Sequence, residues 1–145
     1  MKLLVQRVSE ASVKVDGKIV GQIGKGALVF LGVHKSDQPE NTLWLAQKLI
    51  GLRFFSDSEG KMNLSLKDIQ GEVLIVSQFT LYANCTEGRR PDFLETAPAA
   101  IAKPIYEKFI AEVGKELKVQ TGVFGAYMEV SLANDGPVTL ILEKF

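Results

Sequence analysis

Val73-Leu74-Ile75-Val76-Ser77-Gln78-Phe79-Thr80-Leu81 is the stretch from which the fold of this chain is best read. Four aliphatic residues in a row leave no polar face, so the segment reads as the strongest strand of the chain. Residues 27–33, Ala-Leu-Val-Phe-Leu-Gly-Val, form a second continuous apolar run, a strand covered on both sides. Outward from these, residues 2–8 alternate weakly and read as a first strand. Residues 11–15 and 18–23 flank Asp16-Gly17. That pair suits a two-residue hairpin turn, because Gly accepts positive φ and Asp tolerates it. The resulting register sets Val13 opposite Val20.

Two helices separate these strands. Ser36-Asp37-Gln38-Pro39-Glu40 is a start signal, and Leu43, Ala46, Leu49 and Ile50 recur at helical spacing before Gly51 closes the segment. Residues 52–55 start another strand. Residues 56–71 contain Asp57-Ser58-Glu59-Gly60 and Gln70-Gly71 and read as turns and loop. Residues 83–97 are polar and irregular. A second helix spans 98–118 with the stripe Ile105, Phe109, Ile110, Val113 and Leu117; Pro104 inside it predicts a late start or a kink. Residues 127–132 and 138–143 read as two final strands around Asn134-Asp135-Gly136-Pro137. Seven or eight strands and two main helices make an α/β protein with a mixed, strongly curved, barrel-like sheet system and no simple βαβ repeat.

Composition narrows the function. At 145 residues the chain is expected to be one domain, residues 1–145. It is 46% hydrophobic and 23% charged, which excludes disorder. Seventeen Lys and Arg balance seventeen Asp and Glu, so no global field attracts nucleic acid or a membrane, and such a partner must meet a local patch. One Cys allows no intrachain disulfide, and one His with one Cys makes a zinc site a poor expectation. No cofactor is called for. The N-terminal residues meet charge before any signal-like apolar core forms, and no stretch approaches the roughly 20 apolar residues of a membrane span. A cytoplasmic protein without a membrane partner is expected.

Chemistry can sit in few places. Ser77, Gln78 and Thr80 follow directly on the aliphatic run, where ligands of open α/β sheets bind. The segment reads either as a strand leaving the core or as a rigid platform whose backbone N–H groups stabilise an oxyanion. Asn134-Asp135-Gly136-Pro137 reads either as a connecting turn or as a cis Gly-Pro. In the cis form two neighbouring carbonyl groups would share a direction and could grip an ammonium group. Arg7 follows an apolar strand and could orient a carbonyl or carboxylate with its fork of donors. Cys85 as nucleophile would need His34 as its base, and the two lie in separate loops. Glu87, Asp92 and Glu95 form the one acidic cluster. Arg89-Arg90 and the helix lysines Lys103, Lys108, Lys115 and Lys118 are the basic groupings that could meet phosphates.

The whole chain resembles the D-aminoacyl-tRNA deacylases. The matching segments are Gln6-Arg7-Val8, Ala11-Ser12-Val13, Phe55-Ser56-Asp57, Gly60-Lys61-Met62-Asn63-Leu64, Gln120-Thr121-Gly122 and Val130-Ser131-Leu132. The two signature runs, Ser77-Gln78-Phe79-Thr80-Leu81 and Asn134-Asp135-Gly136-Pro137-Val138-Thr139, are complete and in order. The loop at 83–97 is less typical, and Cys85 and His34 have no part in the family pattern.

The resemblance implies a metal-independent hydrolase of the ester between a D-amino acid and the 3′ end of tRNA. It implies that glycine mischarged on tRNA is also cleaved and that L-aminoacyl-tRNA is rejected. It implies a homodimer whose cis Gly136-Pro137 reaches into the partner's active site, contacts the α-amino group and blocks an L side chain. Gln78, Phe79 and Thr80 are then the expected catalytic residues, with Ser77, Arg7, Asn134, Gly136 and Pro137 binding substrate or holding the motif. Two other readings are compatible with the residues alone: a non-catalytic nucleic-acid-binding module using Arg89-Arg90 and the helix lysines, and a Cys85 esterase or thioesterase.

Overall fold

The first strand, β1 (Lys2–Val15), is 14 residues long and pairs along both edges. A computed structural model describes residues 1–145. After β1 come β2 (Lys18–Ile23) and β3 (Gly26–Gly32), which run back along one edge of β1, both antiparallel to it. Then follow α1 (Asn41–Gly51), β4 (Arg53–Ser56) and β5 (Met62–Ser65), the two strands forming a separate hairpin. β6 (Glu72–Ser77) lies parallel to β3 and leads into a 3-10 turn, Phe79–Tyr82. α2 (Ala99–Gly114) precedes β7 (Val119–Thr121), parallel to β6, and β8 (Glu129–Glu143) closes the chain along the other edge of β1. The sheet order is β2-β1-β3-β6-β7.

The two ends of that order approach each other. A Cβ on Gly21 of β2 would stand 2.5 Å from the carbonyl oxygen of Thr121 in β7. The sheet is therefore a nearly closed barrel, and only glycine fits at this contact. Such curvature needs irregular strands. β1 shifts register against β8 on either side of Val8, and its buried face changes there. Leu3 and Val5 join the main cluster of 22 buried residues under α1 and α2, whereas Val8, Ala11 and Val13 join a smaller cluster of seven inside the barrel.

Several sequence expectations are corrected. The segments 2–8 and 11–15 are one bent strand, and so are 127–132 and 138–143. Asp16 and Gly17 do turn with positive φ, at 50° and 74°. Val13, however, pairs with Gly21, because a bulge makes Val20 the extra residue. The bulge brings the glycine to the crowded contact with β7. α1 begins at Asn41, not within 36–40. Asp37 is instead buried, and its carboxylate accepts the amino group of Met1 at 2.5 Å, the His34 N–H at 2.7 Å and the Asn41 amide at 3.1 Å. β5 forms where loop was expected, with the Asp57 carboxylate accepting the N–H groups of Glu59 and Lys61 to make its turn. β7 is three residues long, too short to leave a periodic signal. α2 starts at Ala99 and runs through Pro104, so the late start does not occur; Pro98 accepts the N–H groups of Ile101 and Ala102. The carbonyl that Pro104 leaves without a donor is that of Ala100, an exposed residue of the first turn. The helix ends at Gly114, and residues 115–118 turn towards β7.

Glu72 ties the barrel closed from the side. It accepts the Gly24 N–H between β2 and β3 at 2.8 Å and the Lys118 ammonium just before β7. The Lys118 hydrogen bond is the main reason its carboxyl lies below the usual range. A depressed carboxyl contributes stability above its unfolded value and loses it as pH falls through the folded one. Glu72→Gln should lower the melting temperature at neutral pH. The gap to wild type should shrink as pH falls below about 4.3, the unperturbed glutamate value. Paired thermal melts across pH test this, and a gap that does not change with pH would refute it.

Candidate active site

β6 positions the first group of residues. Its aliphatic core is fixed on both faces, and the chain then leaves the sheet at Ser77. The Gln78 N–H donates to Leu31 at 2.8 Å, holding the exit in register with the end of β3. The 3-10 turn packs tightly above Gly32, where a Cβ would meet the Gln78 carbonyl oxygen at 3.1 Å. As the first residues of that turn, Phe79 and Thr80 have no carbonyl within it to bond with their N–H groups.

A cavity of about 490 Å³ opens beside this turn. Ser77, Gln78 and Phe79 form one wall; Tyr106 of α2, Phe124 and Met128 form much of the opposite one. The lining contains no carboxylate, histidine, lysine, arginine or cysteine. Tyr106 donates its hydroxyl to the Ile75 carbonyl at 3.0 Å, and burial pushes its phenol up to about 12, so it stays neutral. Thr80 lies beside the cavity rather than in its lining, and its hydroxyl oxygen accepts a hydrogen bond from the Gln78 amide. Phe79 is 56% exposed at the rim and meets Phe93 edge to face, centroids 5.0 Å apart. The far wall was not legible in the sequence. Residues 124–128 show no periodicity, and Tyr106 falls beside the apolar stripe of its helix.

The second group assembles elsewhere, where β8 skips register against β1. Gln6 pairs with Thr139 and Val8 with Asn134, leaving residues 135–138 opposite Arg7. The buried Arg7 donates from Nε to the Asp135 carbonyl and from Nη1 to the Phe54 carbonyl, both at 2.9 Å. The Asn134 side chain caps the loop: its Oδ1 accepts the Val138 N–H at 2.9 Å and its Nδ2 donates to Thr139 at 3.0 Å. The Gly136-Pro137 peptide is cis, and both residues are exposed. Gly136 has φ +144°, and a Cβ there would stand 2.7 Å from the Val138 nitrogen. Thus Arg7, Asn134, Gly136 and Pro137 come together, as do Ser77, Gln78 and Phe79, with Thr80 adjacent. None of the first four lines the cavity of its own chain.

The other candidates do not assemble. Both ring nitrogens of His34 are engaged, with Ser36 at 2.7 Å and Glu95 at 2.8 Å, so it forms no dyad with the exposed Cys85. Glu95 also pairs with Lys35, and Asp92 is bonded to Asn84, which disperses the acidic cluster. No three His, Cys, Asp or Glu side chains are grouped to hold a metal ion, and no helix is long and apolar enough to cross a membrane.

Comparison with known proteins identifies the family. Residues 4–143 match the family described as D-Tyr-tRNA(Tyr) deacylase. The chain is 57% identical to the D-aminoacyl-tRNA deacylase of Fervidobacterium nodosum over 145 residues, covering 99% of this chain and 97% of that one. It is 58% identical to the protein of the same name from Geotalea daltonii, covering 99% and 96%. Among solved structures it is similar to the c-Myc DNA Unwinding Element Binding Protein, with TM-score 0.94 and 40% identity over 99% of both chains. A probable eukaryotic D-amino acid tRNA deacylase shares the fold at TM-score 0.82, with 18% identity over 97% of both chains. With its family matched over nearly every residue, and with both signature runs folded into the two groups described above, this chain belongs to the D-Tyr-tRNA(Tyr) deacylase family.

Proposed function

We propose that this protein hydrolyses the ester joining a D-amino acid to the 3′ end of tRNA, in the cytoplasm where translation takes place. In this reading it acts as a homodimer in which Gly136-Pro137 of each protomer meets the Ser77–Thr80 pocket of the other. The observation that carries this is the division of the signature residues: an uncharged pocket at one place and an exposed, rigidly held Gly-Pro at another. The outer surface of β8 supports a dimer, since β8 is paired along one edge only and exposes Leu132 and Ile141.

The chemistry follows from what the pocket lacks. Without an ionisable base in the lining, attack on the ester carbonyl relies on water activated by the vicinal ribose hydroxyl of the substrate. The protein positions the ester and stabilises the developing oxyanion with the Phe79 and Thr80 N–H groups. The Gly-Pro carbonyl groups receive the α-ammonium group, and their backbone forms a wall on the side where an L side chain would project. Overpacking against such a wall costs about 1–3 kcal/mol or more, and each 1.36 kcal/mol is tenfold in rate. Glycine has no side chain to exclude and is cleaved. Arg7 and Asn134 hold the wall in place.

Deacylation of D-Tyr-tRNA and L-Tyr-tRNA, side by side with chelator present, tests the reading. Rapid loss of the D ester alone is expected; retention of both esters by a protein that still binds tRNA would replace it with the binding-module reading. Gly136→Ala forces an L residue to φ +144° against Val138. It should lower the D rate or the D-over-L ratio at least about tenfold, and wild-type rates with unchanged discrimination would sink the role of the wall. Thr80→Ala removes the hydroxyl and keeps the N–H, so its loss should stay within about tenfold. A dead, folded Thr80→Ala protein would instead make the hydroxyl essential.

A further inference from the structure

The loop beyond the pocket rim is built as a projecting, self-tied hairpin. Asn84 and Asp92 exchange backbone hydrogen bonds at 2.9 and 3.0 Å, and their side chains bond at 3.0 Å. Asn84 also accepts the Thr86 N–H and hydroxyl, and Gly88 turns the tip at φ +70°. Arg89 and Arg90 stand at this tip, exposed, and neither forms an ion pair. The nearby acids are engaged by other partners: Asp92 accepts the Asn84 amide and the Leu94 N–H, and Glu95 pairs with Lys35 and His34. Glu87 is the loop's one unpaired carboxylate. At the base of the hairpin, Phe93 packs edge to face on Phe79, the residue at the pocket rim, and both rings are partly open to solvent.

Resting on the deacylase reading of the pocket, we propose that this hairpin holds the unpaired nucleotides preceding the terminal adenosine of the tRNA. Arg89 and Arg90 meet backbone phosphates, and the Phe93–Phe79 pair offers its exposed ring surface to a base. Guanidinium groups match phosphate oxygens in a planar fork. Single-stranded RNA is held by basic grooves combined with aromatic platforms on which bases stack. Arg90 is three residues from Phe93, an extended reach of about 10 Å, so phosphate and base contacts fall on neighbouring nucleotides. A chain without net charge needs such a local device to hold a polyanion.

The test compares two substrates, D-Tyr-tRNA and D-tyrosyl-adenosine, which carries the same ester on a single nucleoside. Arg89→Ala/Arg90→Ala should raise KM for the tRNA on the order of tenfold with kcat unchanged. It should also flatten the logarithmic dependence of kcat/KM on salt by about 1.4, two single-strand phosphates at about 0.7 each. D-Tyrosyl-adenosine should be cleaved as by wild type. Arg89→Lys/Arg90→Lys should recover most of the loss, and Glu87→Gln should lower KM for the tRNA. An unchanged KM and salt slope for the tRNA in the alanine variant, or an equal loss on both substrates, would overturn the proposal. Failure of the wild-type protein on both substrates would instead overturn the deacylase reading beneath it.

Discussion

A guanidinium buried among strands must have its donors met, because an unmatched buried charge costs several kcal/mol. Arg7 lies in the middle of β1, and two carbonyl groups answer it from outside the main ladder. Phe54 falls at a register shift in the β4–β5 hairpin, which frees its carbonyl. Asp135 falls in the gap where β8 leaves its register with β1. One side chain therefore docks the small hairpin and fixes the loop that displays Gly136 and Pro137. With the Asp135 carbonyl turned inward, the two residues that follow are exposed to solvent. An apolar residue at position 7 would leave the buried Phe54 carbonyl and the part-buried Asp135 carbonyl without their donors, as well as freeing the loop.

The same economy governs the barrel. Closing a strongly twisted sheet over so short a chain requires backbones to approach more closely than side chains allow. Gly21 against Thr121 is the point where this happens, and Gly26 allows a similarly close approach to its ladder partner Glu72. The bulge at Val20 delivers Gly21 to that contact. The closed side braces β6, so the exit at Ser77 is carried on a rigid element, as the proposed oxyanion role requires.

Much of this was legible in the sequence because it rests on local chemistry. The aliphatic run before Ser77 is a buried strand, the apolar stripe of α2 holds from Ile105 to Val113 while Leu117 lies beyond the helix end, and Asp16-Gly17 makes the turn its residues favour. The failures share a cause. The single course of β1, the Val13–Gly21 register, and the three-residue β7 are products of barrel closure, which no local pattern records. Asp37 looked like a helix-start acid, yet its carboxylate serves the amino group of Met1, a partner 36 residues away. The pocket's far wall is drawn from residues 102–130, distant from Ser77 and unremarkable in composition. The signature residues are recognisable as motifs, and the resemblance already implies that Gly136-Pro137 serves a pocket other than its own chain's; the register gap in β8 that displays it is not legible, because it depends on pairing with β1.

The uncharged lining of the pocket also bears on how the reaction ends. An aminoacyl ester enters with a neutral carbonyl group, but hydrolysis converts it to a carboxylate. The lining holds no lysine, arginine or histidine to receive that charge. Under the proposed mechanism the Phe79 and Thr80 N–H groups are the only donors offered to that charge, and a desolvated carboxylate without a counter-ion is costly, so the pocket favours the ester over the acid. On the proposed mechanism the new charge itself favours release of the cleaved amino acid into water.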